Sequence, residues 1–282
     1  MDFTKPGPYA ERKRTRVGAA YSAVIGWSAA KTLPARLRPF AYRAFARAVG
    51  ANLDEAELAL AQYPSLGDFF ARRLRDGARS VASDRDAIIA PCDGVIAARG
   101  TADDGVLVQA KGRDYQLAEL VADEELAARL VGGSYITIYL SPRDYHRVHA
   151  PVAGQLAGYD YVPGALWPVN PRVAVRRDRL LARNERVVIR LNAPGIGDVA
   201  VVMVGAAGVG NITVTHGFDS ASVRATGELR RIELDGVTVS RGDELGAFRL
   251  GSTVVVLFPP TKVTLTGDVG QALRFGEAIG RG

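Results

Sequence analysis

The sequence predicts an α+β protein, with N-terminal helices followed by a β-rich core of antiparallel or mixed sheets that resembles a sandwich or a barrel. Residues 17–75 have a helical pattern of apolar positions, and from about Ile88 onward short β-branched runs alternate with Gly, Pro, Asn and Asp. The chain has 282 residues, of which 48% are hydrophobic, and this excludes a disordered chain. We therefore predict a helical region at 1–75 and a β-rich core at 76–282.

The first well-delimited helix is predicted at 39–49. Pro39 suits a first helical turn because its missing N–H would be unpaired there, and Gly50 suits a C-terminal cap. The helical period places Ala41, Phe45 and Ala48 on one face. A second, short helix is expected to begin after Ser65, with an apolar face formed by Leu66, Phe69 and Phe70.

The β-rich part is predicted from apolar runs of four to six residues bounded by turn formers. No long helical period occurs between Pro142 and the end of the chain. The predicted strands are Gly94–Ala98, Val106–Ala110, Tyr135–Leu140, Val187–Leu191, Val199–Val204, Ile212–Thr215, Val237–Ser240 and Thr253–Phe258.

The net charge of +6 is concentrated at the N-terminus. Residues 1–50 hold ten basic and two acidic side chains, a balance of +8, whereas the rest of the chain is at −2. Such an arm suits an anionic partner, either a phospholipid surface or nucleic acid. The uncharged stretch 17–30 has fourteen residues, fewer than the roughly 20 of a spanning helix. It is interpreted as an interfacial element or as a core-docking helix.

Two of the three histidines lie close together in a polar segment that follows a predicted strand. His146 and His149 are separated by two residues, in a loop bounded by Pro142 and Pro151. A zinc site would need three or four converging ligands, and the lone cysteine, Cys92, is distant, so a metal is disfavoured. Acid–base chemistry suits imidazole better, although both rings could simply hydrogen-bond a turn.

Two further positions are ambiguous when each is taken alone. Asp93 and Gly94 lie between apolar runs, where an Asp-Gly pair is normally a hairpin turn. Gly251 and Ser252 open a β-branched run, again a common turn pattern. A glycine carbonyl is nevertheless sterically open, so a hydroxyl on the next residue could attack it if a base were close.

Several segments together resemble the phosphatidylserine decarboxylase family, whose members depend on a pyruvoyl group. The similarity covers about residues 50–265, and the two most specific segments are Tyr139–His149 and Leu250–Thr253. His216 departs from the expected pattern and is assigned no role. The other matching runs are Asp93–Ile96, Tyr161–Gly164, Ala182–Arg186 and Val204–Ala206.

The resemblance implies that Asp93, His149 and Ser252 form a self-processing triad. His149 would remove the proton of the Ser252 hydroxyl, while Asp93 would fix the tautomer of the imidazole. The hydroxyl would attack the carbonyl of Gly251 and form an ester, and elimination would then separate residues 1–251 from residues 252–282. The shorter chain would contain 31 residues.

The resemblance also implies the cofactor and the reaction. Residue 252 would become an N-terminal pyruvoyl group, with loss of ammonia, and this group would form a Schiff base with the serine headgroup of phosphatidylserine. The conjugated carbonyl would accept the electron pair that remains when carbon dioxide leaves. His146 is the expected proton donor to the α-carbon, and phosphatidylethanolamine is the expected product.

A substrate with two acyl chains stays in the bilayer, which gives the basic N-terminal region a purpose. We expect a peripheral protein on the cytoplasmic side of the cell membrane, docked through residues 17–49 on an anionic surface. The two chains made by self-cleavage would stay together, and a further homodimer is expected. Nucleic acid is not expected as a partner, because the body is neutral to acidic.

Two other enzyme classes remain open at this stage. A serine hydrolase could use Asp93, His149 and Ser252 on an external substrate, but the Gly-x-Ser-x-Gly elbow of one common hydrolase class is absent. A soluble pyruvoyl amino-acid decarboxylase would share the chemistry, but it would not explain the positive charge of the N-terminal segment. The non-enzymatic alternative is a module that binds nucleic acid or an anionic surface.

Overall fold

The computed structural model describes residues 31–110, 113–206, 211–249, 252–260 and 262–282. Two helices lie in the described N-terminal part, and from residue 87 onward strands dominate, with five short helices between them. The α-helices are α1 (Arg38–Val49), α2 (Leu66–Phe70), α3 (Leu117–Val121), α4 (Glu124–Leu130), α5 (Pro171–Ala174), α6 (Leu180–Arg183) and α7 (Ser220–Val223). Single 3₁₀ turns occur at Leu60–Gln62, Asp103–Gly105 and Arg224–Thr226.

The strands include every β-run predicted from the sequence, with ends that differ by up to three residues. In chain order they are β1 (Ala87–Ile89), β2 (Gly94–Thr101), β3 (Val106–Ala110), β4 (Arg113–Gln116), β5 (Ser134–Leu140), β6 (Arg147–His149), β7 (Gly154–Val162), β8 (Arg186–Ala193), β9 (Gly197–Gly205), β10 (Ile212–Val214), β11 (Phe218–Asp219), β12 (Arg230–Glu233), β13 (Thr238–Val239), β14 (Glu244–Phe248), β15 (Ser252–Leu257), β16 (Thr264–Leu265), β17 (Ala272–Leu273) and β18 (Ala278–Arg281).

The largest sheet among the described residues has nine strands. Its order is β12-β7-β8-β9-β15-β5-β2-β17, and β13 also pairs with β7. A second sheet has the order β11-β10-β14-β6, and smaller sheets join β1-β18-β16 and β3-β4. The pairings between these strands are antiparallel, and the large sheet has separate edges at β12 and β17. The prediction of an α+β fold is thus confirmed, with open sheets rather than a closed barrel.

Helix α1 forms where the sequence predicts it. Pro39 lies in its first turn, and Gly50 ends it in the left-handed region at φ 79°, with its N–H donated to Ala46. Of the three residues that the helical period places on one face, Phe45 packs against the aromatic cluster, whereas Ala41 and Ala48 are exposed. Tyr42 and Ala46 are buried instead, because the aromatic side chains that follow in the chain pack on that side of the helix.

A small aromatic cluster joins α1 to α2. The rings of Tyr42 and Phe69 are stacked with centroids 4.9 Å apart, and Tyr63 packs edge-on against Phe69 at 5.6 Å. The Tyr42 hydroxyl donates to the Tyr63 carbonyl, so the polar end of the ring is also satisfied. This cluster is separate from the main core, which the strands form, and the predicted boundary between residues 75 and 76 stays a prediction.

Helices α3 and α4 were not predicted, because β-type runs surround them on both sides. Their signals are nevertheless present in the sequence. Asp123 accepts a hydrogen bond from the N–H of Leu126 and thereby caps α4, and Leu126 and Leu130 bury one face of that helix. The long strand β7 was also missed, since Gly154 and Gly158 interrupt its apolar pattern.

Two of the passages that the chain makes between the large sheet and the second sheet connect strands that are neighbours in both sheets. Strand β5 of the large sheet is followed by β6 of the second sheet, whereas β14 of the second sheet is followed by β15 of the large sheet. Because β5 pairs with β15 and β6 pairs with β14, the strand ends on either side of these two passages are neighbours. Residues of the 141–146 segment therefore meet the start of β15.

Strand β2 approaches β5 so closely that residue 94 has no room for a side chain. A Cβ added to Gly94 would lie 2.5 Å from the Tyr139 carbonyl oxygen and 2.8 Å from Ile138 Cγ2. We expect Gly94→Ala to lower the free energy of unfolding by about 1–3 kcal/mol, because the two strands must separate. Urea denaturation followed by circular dichroism measures this change.

Gly100→Ala is the matched control, since it makes the same change in the same strand. The nearest atoms to its added Cβ belong to the Tyr135 ring at 3.4 Å, which is an ordinary contact. We expect an effect within about 0.5 kcal/mol for this variant. Equal destabilisation by both substitutions would contradict the close approach of β2 to β5 at Gly94.

Candidate active site

Ser252 is the first residue of the central strand β15. It lies in register with Leu140 of β5 on one side and with Gly205 of β9 on the other, and its exposed fraction is 0%. Pairing on both sides fixes the backbone on which the hydroxyl is carried. The preceding residue, Gly251, lies outside the described residues, so the structure places the nucleophile but not the carbonyl that it would attack.

His146 lies next to Ser252. The distance from His146 Nδ1 to Ser252 Oγ is 3.5 Å, the limit of a hydrogen bond. The other ring nitrogen, Nε2, lies 3.0 Å from the Ser141 carbonyl, and because a carbonyl only accepts, Nε2 carries the proton. Nδ1 therefore presents a lone pair to the serine hydroxyl.

Three contacts hold the His146 ring in this orientation. The ring of Phe70 is stacked on it with centroids 4.0 Å apart, and the Phe248 N–H donates to its backbone carbonyl at 2.9 Å. Asp144 orders the preceding turn by accepting from the N–H and the hydroxyl of Ser141, both at 2.7 Å. The carbonyl that fixes the tautomer is thus itself fixed.

Burial determines the protonation state of His146. Its exposed fraction is 0%, and removal from water lowers its pKa to about 3, a shift that the Ser141 hydrogen bond opposes and the charge of Arg72 reinforces. The imidazole is therefore neutral at physiological pH. A neutral ring with a free Nδ1 can accept a proton from Ser252 but can donate one only after receiving it.

His149 lies at the end of β6 with different partners. Its Nδ1 donates to the Gly242 carbonyl at 2.8 Å, and its Nε2 lies 3.0 Å from the hydroxyl of Tyr145. The ring of Phe275 is stacked on it at 3.7 Å. Burial lowers the pKa of His149 as well, while Gly242, Glu244 and Asp93 act in the opposite direction.

Asp93 is held by an ion pair rather than by an imidazole. Its two carboxylate oxygens accept from Arg79 Nε at 3.1 Å and from Arg79 Nη2 at 2.5 Å. The backbone N–H of Phe275 donates to the same carboxylate at 2.8 Å, and Arg79 also pairs with Glu55 at 2.9 Å. Phe275 therefore touches both Asp93 and His149, which places these two residues in one corner of the site.

The structure thus brings the sequence-predicted residues together in two pairs. His146 contacts Ser252, and Asp93 lies with His149 around Phe275. Neither a hydrogen bond from Asp93 to His149 nor one from His149 to Ser252 occurs among the described residues. The roles assigned to these side chains stay predictions. His216 is exposed and forms a contact with Thr215, away from these groups.

Several neighbours of these residues were missed from the sequence. Arg79, Tyr145 and Phe275 contact Asp93 or His149, and Phe70 contacts His146. Phe70 was predicted as a core residue, but nothing in its helical spacing indicated a histidine as its neighbour. Tyr145 adjoins His146 in the sequence and could have been suspected on that ground alone.

Two findings concern other classes of site. Within the described parts of the chain, no three or more His, Cys, Asp or Glu side chains are grouped so that they could hold a metal ion. The described helices also include none that is long and apolar enough to cross a bilayer. Cys92 is fully buried beside Asp93, and burial raises the pKa of its thiol well above the usual value.

Comparison with known proteins points to one family. The family model for phosphatidylserine decarboxylase matches residues 66–281. A protein of Myxococcus xanthus is 39% identical over 264 residues, 93% of this chain and 94% of the relative, and one of Anaeromyxobacter is 43% identical over 272 residues, 95% and 94%. A Pseudomonas aeruginosa protein is 43% identical over 83% of each chain. Each is named phosphatidylserine decarboxylase proenzyme.

The buried neutral His146 predicts a loss of stability in acid. The unfolded chain binds a proton on this side chain below a pH of about 6.5, but the folded chain does so only near pH 3. Each unit by which the pH falls between these values therefore lowers the free energy of unfolding by up to about 1.4 kcal/mol. We expect His146→Phe, which keeps an aromatic ring on Phe70, to reduce this slope in urea denaturation series.

His216→Phe is the matched control, because His216 is exposed. It should leave the pH dependence of unfolding unchanged. The slope is the quantity to compare rather than the absolute stability, because His146→Phe also removes one of the two donors to the Ser141 carbonyl, which keeps the Asp144 N–H at 2.9 Å. An unchanged slope in His146→Phe would mean that this imidazole is not held neutral by burial.

Proposed function

The chain belongs to the phosphatidylserine decarboxylase family, and from that premise we propose that it converts phosphatidylserine to phosphatidylethanolamine with a pyruvoyl group made from its own Ser252. The enzymes of this family are carboxy-lyases. The observation that supports the proposal most directly is the placement of Ser252. This hydroxyl is fully buried at the start of the central strand, with an imidazole lone pair 3.5 Å away.

The processing step requires only groups of the chain itself and one water molecule. Ser252 Oγ forms a bond to the carbonyl carbon of Gly251, the proton of the hydroxyl passes to a base, and the peptide bond breaks to leave an ester and a free amine. Loss of the Cα proton of residue 252 then expels the carboxylate of Gly251 and separates 1–251 from 252–282. Hydrolysis of the new terminus releases ammonia and leaves the pyruvoyl group.

We assign processing to Asp93, His149 and Ser252, as the family resemblance implies. The shared corner around Phe275 supports Asp93 and His149 as a unit, because a carboxylate near a buried imidazole stabilises its protonated form. His149 would have to turn from Tyr145 toward Ser252 in this step. His146 is the competing candidate for the base, since its Nδ1 already faces the hydroxyl.

The surroundings of residue 252 fit a carbonyl cofactor. When present, the pyruvoyl group supplies an acceptor for the electron pair that remains as carbon dioxide leaves. The group would form from Ser252, whose exposed fraction is 0% in the large sheet. Phe70 covers the neighbouring His146 ring, so both residues are shielded from water. His146 lies against that residue, where the α-carbon of a substrate must receive a proton.

The low pKa of His146 suits a side chain that first accepts a proton and then donates it, rather than one that is already protonated when the substrate binds. The ring is neutral before the reaction and must first take a proton, which the ammonium group of the serine headgroup could supply when it is bound beside residue 252. His146 Nδ1 can accept that proton and return it to the α-carbon after carbon dioxide has left. One side chain then performs both transfers without bulk water.

We further propose that the membrane contact includes the exposed face of α1. Leu37 and Phe40 are 51% and 73% exposed, and Arg43 and Arg47 are exposed on the same helix. Apolar side chains flanked by arginines suit the headgroup region of an anionic leaflet. Residues 17–30 of the expected docking segment lie outside the described residues. The cytoplasmic side and a homodimer of the cleaved enzyme remain part of the proposal.

The cleavage step is testable by mass spectrometry. We expect the purified protein to contain chains 1–251 and 252–282, the shorter one blocked to Edman degradation and labelled by tritiated borohydride. Ser252→Ala should remain a single chain with decarboxylase activity lowered at least about 1,000-fold, because it lacks the nucleophile. An intact and fully active wild-type chain would exclude the pyruvoyl mechanism.

The two histidines can be separated by the same assay. We expect His149→Ala to remain uncleaved, whereas His146→Ala should be cleaved but should lose decarboxylation by roughly 100-fold or more, since it lacks the proton shuttle. Asp93→Asn should slow cleavage, and His216→Ala should change neither step. Cleavage of His149→Ala together with an intact His146→Ala chain would reverse the two roles.

Vesicle sedimentation tests the α1 surface without removing the helix, whose Tyr42 is part of the aromatic cluster. We expect the triple variant Phe40→Ser, Arg43→Gln, Arg47→Gln to bind anionic vesicles at least about 10-fold more weakly than the wild type. Arg230→Gln with Arg281→Gln is the control, because both arginines are exposed on strands of the body. Equal binding of the triple variant and the wild type would exclude this face as the main contact.

A further inference from the structure

Arg72 is a buried cation that forms no ion pair with the residues that the structure describes. It follows α2 by two residues and is only 3% exposed. Its Nε has no hydrogen-bond partner among the described residues, and its guanidinium carbon lies 5.3 Å from the ring centre of Phe69. Burial without an anion disfavours the charged form and lowers the pKa of this side chain.

The carboxylates near Arg72 are already paired with other arginines. Glu55 and Asp93 both bind Arg79, at 2.9 Å and 2.5 Å. Glu244 binds Arg147 at 2.5 Å, and Arg73 approaches it at 3.5 Å from the exposed side. A guanidinium removed from water is normally paired or hydrogen-bonded, so Arg72 has donors available for an anion that the described part of the chain does not supply.

Arg72 belongs to the segment that covers the reacting centre. Phe70 stacks on His146, and the Ala71 carbonyl accepts from Arg147 Nε at 3.0 Å. The positive charge of Arg72 is close enough to His146 to help lower its pKa, after the larger effect of burial. The unpaired guanidinium thus lies in the neighbourhood of the imidazole that contacts Ser252.

We propose that Arg72 binds the phosphodiester of the substrate and thereby positions the serine headgroup at residue 252. This assignment rests on the proposed function. Phosphate is a good partner for a guanidinium, because two N–H groups can bind two oxygens at once. In phosphatidylserine the phosphate lies only a few bonds from the amine, so both can be engaged within one site.

The phosphodiester is favoured over the carboxylate for a catalytic reason. The carboxylate loses its negative charge as carbon dioxide leaves, so a cation bound to it would stabilise the starting state more than the transition state. The phosphodiester keeps its charge throughout the reaction. Arg72 can therefore hold it without opposing decarboxylation.

The test uses cleaved enzyme whose pyruvoyl group has been reduced by borohydride, which abolishes the reaction but keeps the site. Calorimetry measures the Kd of three soluble probes: glycerophosphoethanolamine, which has the phosphodiester but no carboxylate; L-serine, which has the carboxylate but no phosphate; and ethanolamine, which has neither. We expect Arg72→Gln to weaken binding of glycerophosphoethanolamine at least about 10-fold and to leave the other two unchanged. Arg72→Lys should bind it with intermediate affinity, because one ammonium cannot form the two-point contact.

Arg75→Gln is the matched control, since Arg75 lies three residues further along the chain and is exposed. It should not change the affinity for any probe. A second measurement separates ligand binding from a structural role. Arg72→Met should leave the melting temperature unchanged or higher, because it removes an unpaired buried charge, whereas a structural guanidinium would lower it when removed.

Three results would overturn the proposal. They are unchanged affinity of Arg72→Gln for glycerophosphoethanolamine, equal weakening of all three probes, and selective weakening of L-serine, which would assign the residue to the carboxylate. Failure of the proposed function would look different. The wild-type chain would then remain intact and would take up no tritium from labelled borohydride.

Discussion

The antiparallel pairing of β15 with both β5 and β9 is the constraint on which the site depends. It buries Ser252 in the middle of the large sheet, and it brings the end of β5 beside the start of β15. The pairing of β6 with β14 in the second sheet aligns the same two chain segments once more. A hydrogen bond from Phe248 to the His146 carbonyl joins them directly. The serine and the imidazole are therefore close because β5 and β6, which flank His146, pair with β15 and β14.

Burial then determines the chemistry available at this point. The sheet removes His146 from water, and the resulting low pKa leaves a neutral ring whose free nitrogen faces the hydroxyl. The same exclusion of water requires that buried charges be paired, as Asp93 is with Arg79. Arg72 is buried but forms no ion pair with the described residues, and for this reason we propose that it binds an anion of the substrate. Acid–base chemistry and substrate recognition thus follow from one desolvated region.

Much of the fold was predictable because its signals are local. The cap at Gly50, the short helix after Ser65 and the β-branched runs each need only a few neighbouring residues to be recognised. The predictions failed where contacts between distant segments determine which residues are buried and which strands pair. The buried face of α1 includes Tyr42 because the ring of Phe69, which follows later in the chain, packs on that side. Strand β7 is long despite its glycines because it pairs with β8 along its length. Helical period and β-propensity do not contain that information.

For the site, the sequence by itself indicated the family and singled out Asp93, His146, His149 and Ser252 as the candidates for its chemistry. Only the tertiary structure decided how they are grouped, with His146 against Ser252 and Asp93 bound to Arg79. It also decided that Arg72 is buried with its Nε lacking a hydrogen-bond partner among the described residues. The physical reason is that residue type and spacing specify chemical capacity. Protonation state, hydrogen-bond partner and desolvation arise from contacts between segments far apart in the chain, such as residues 146 and 252.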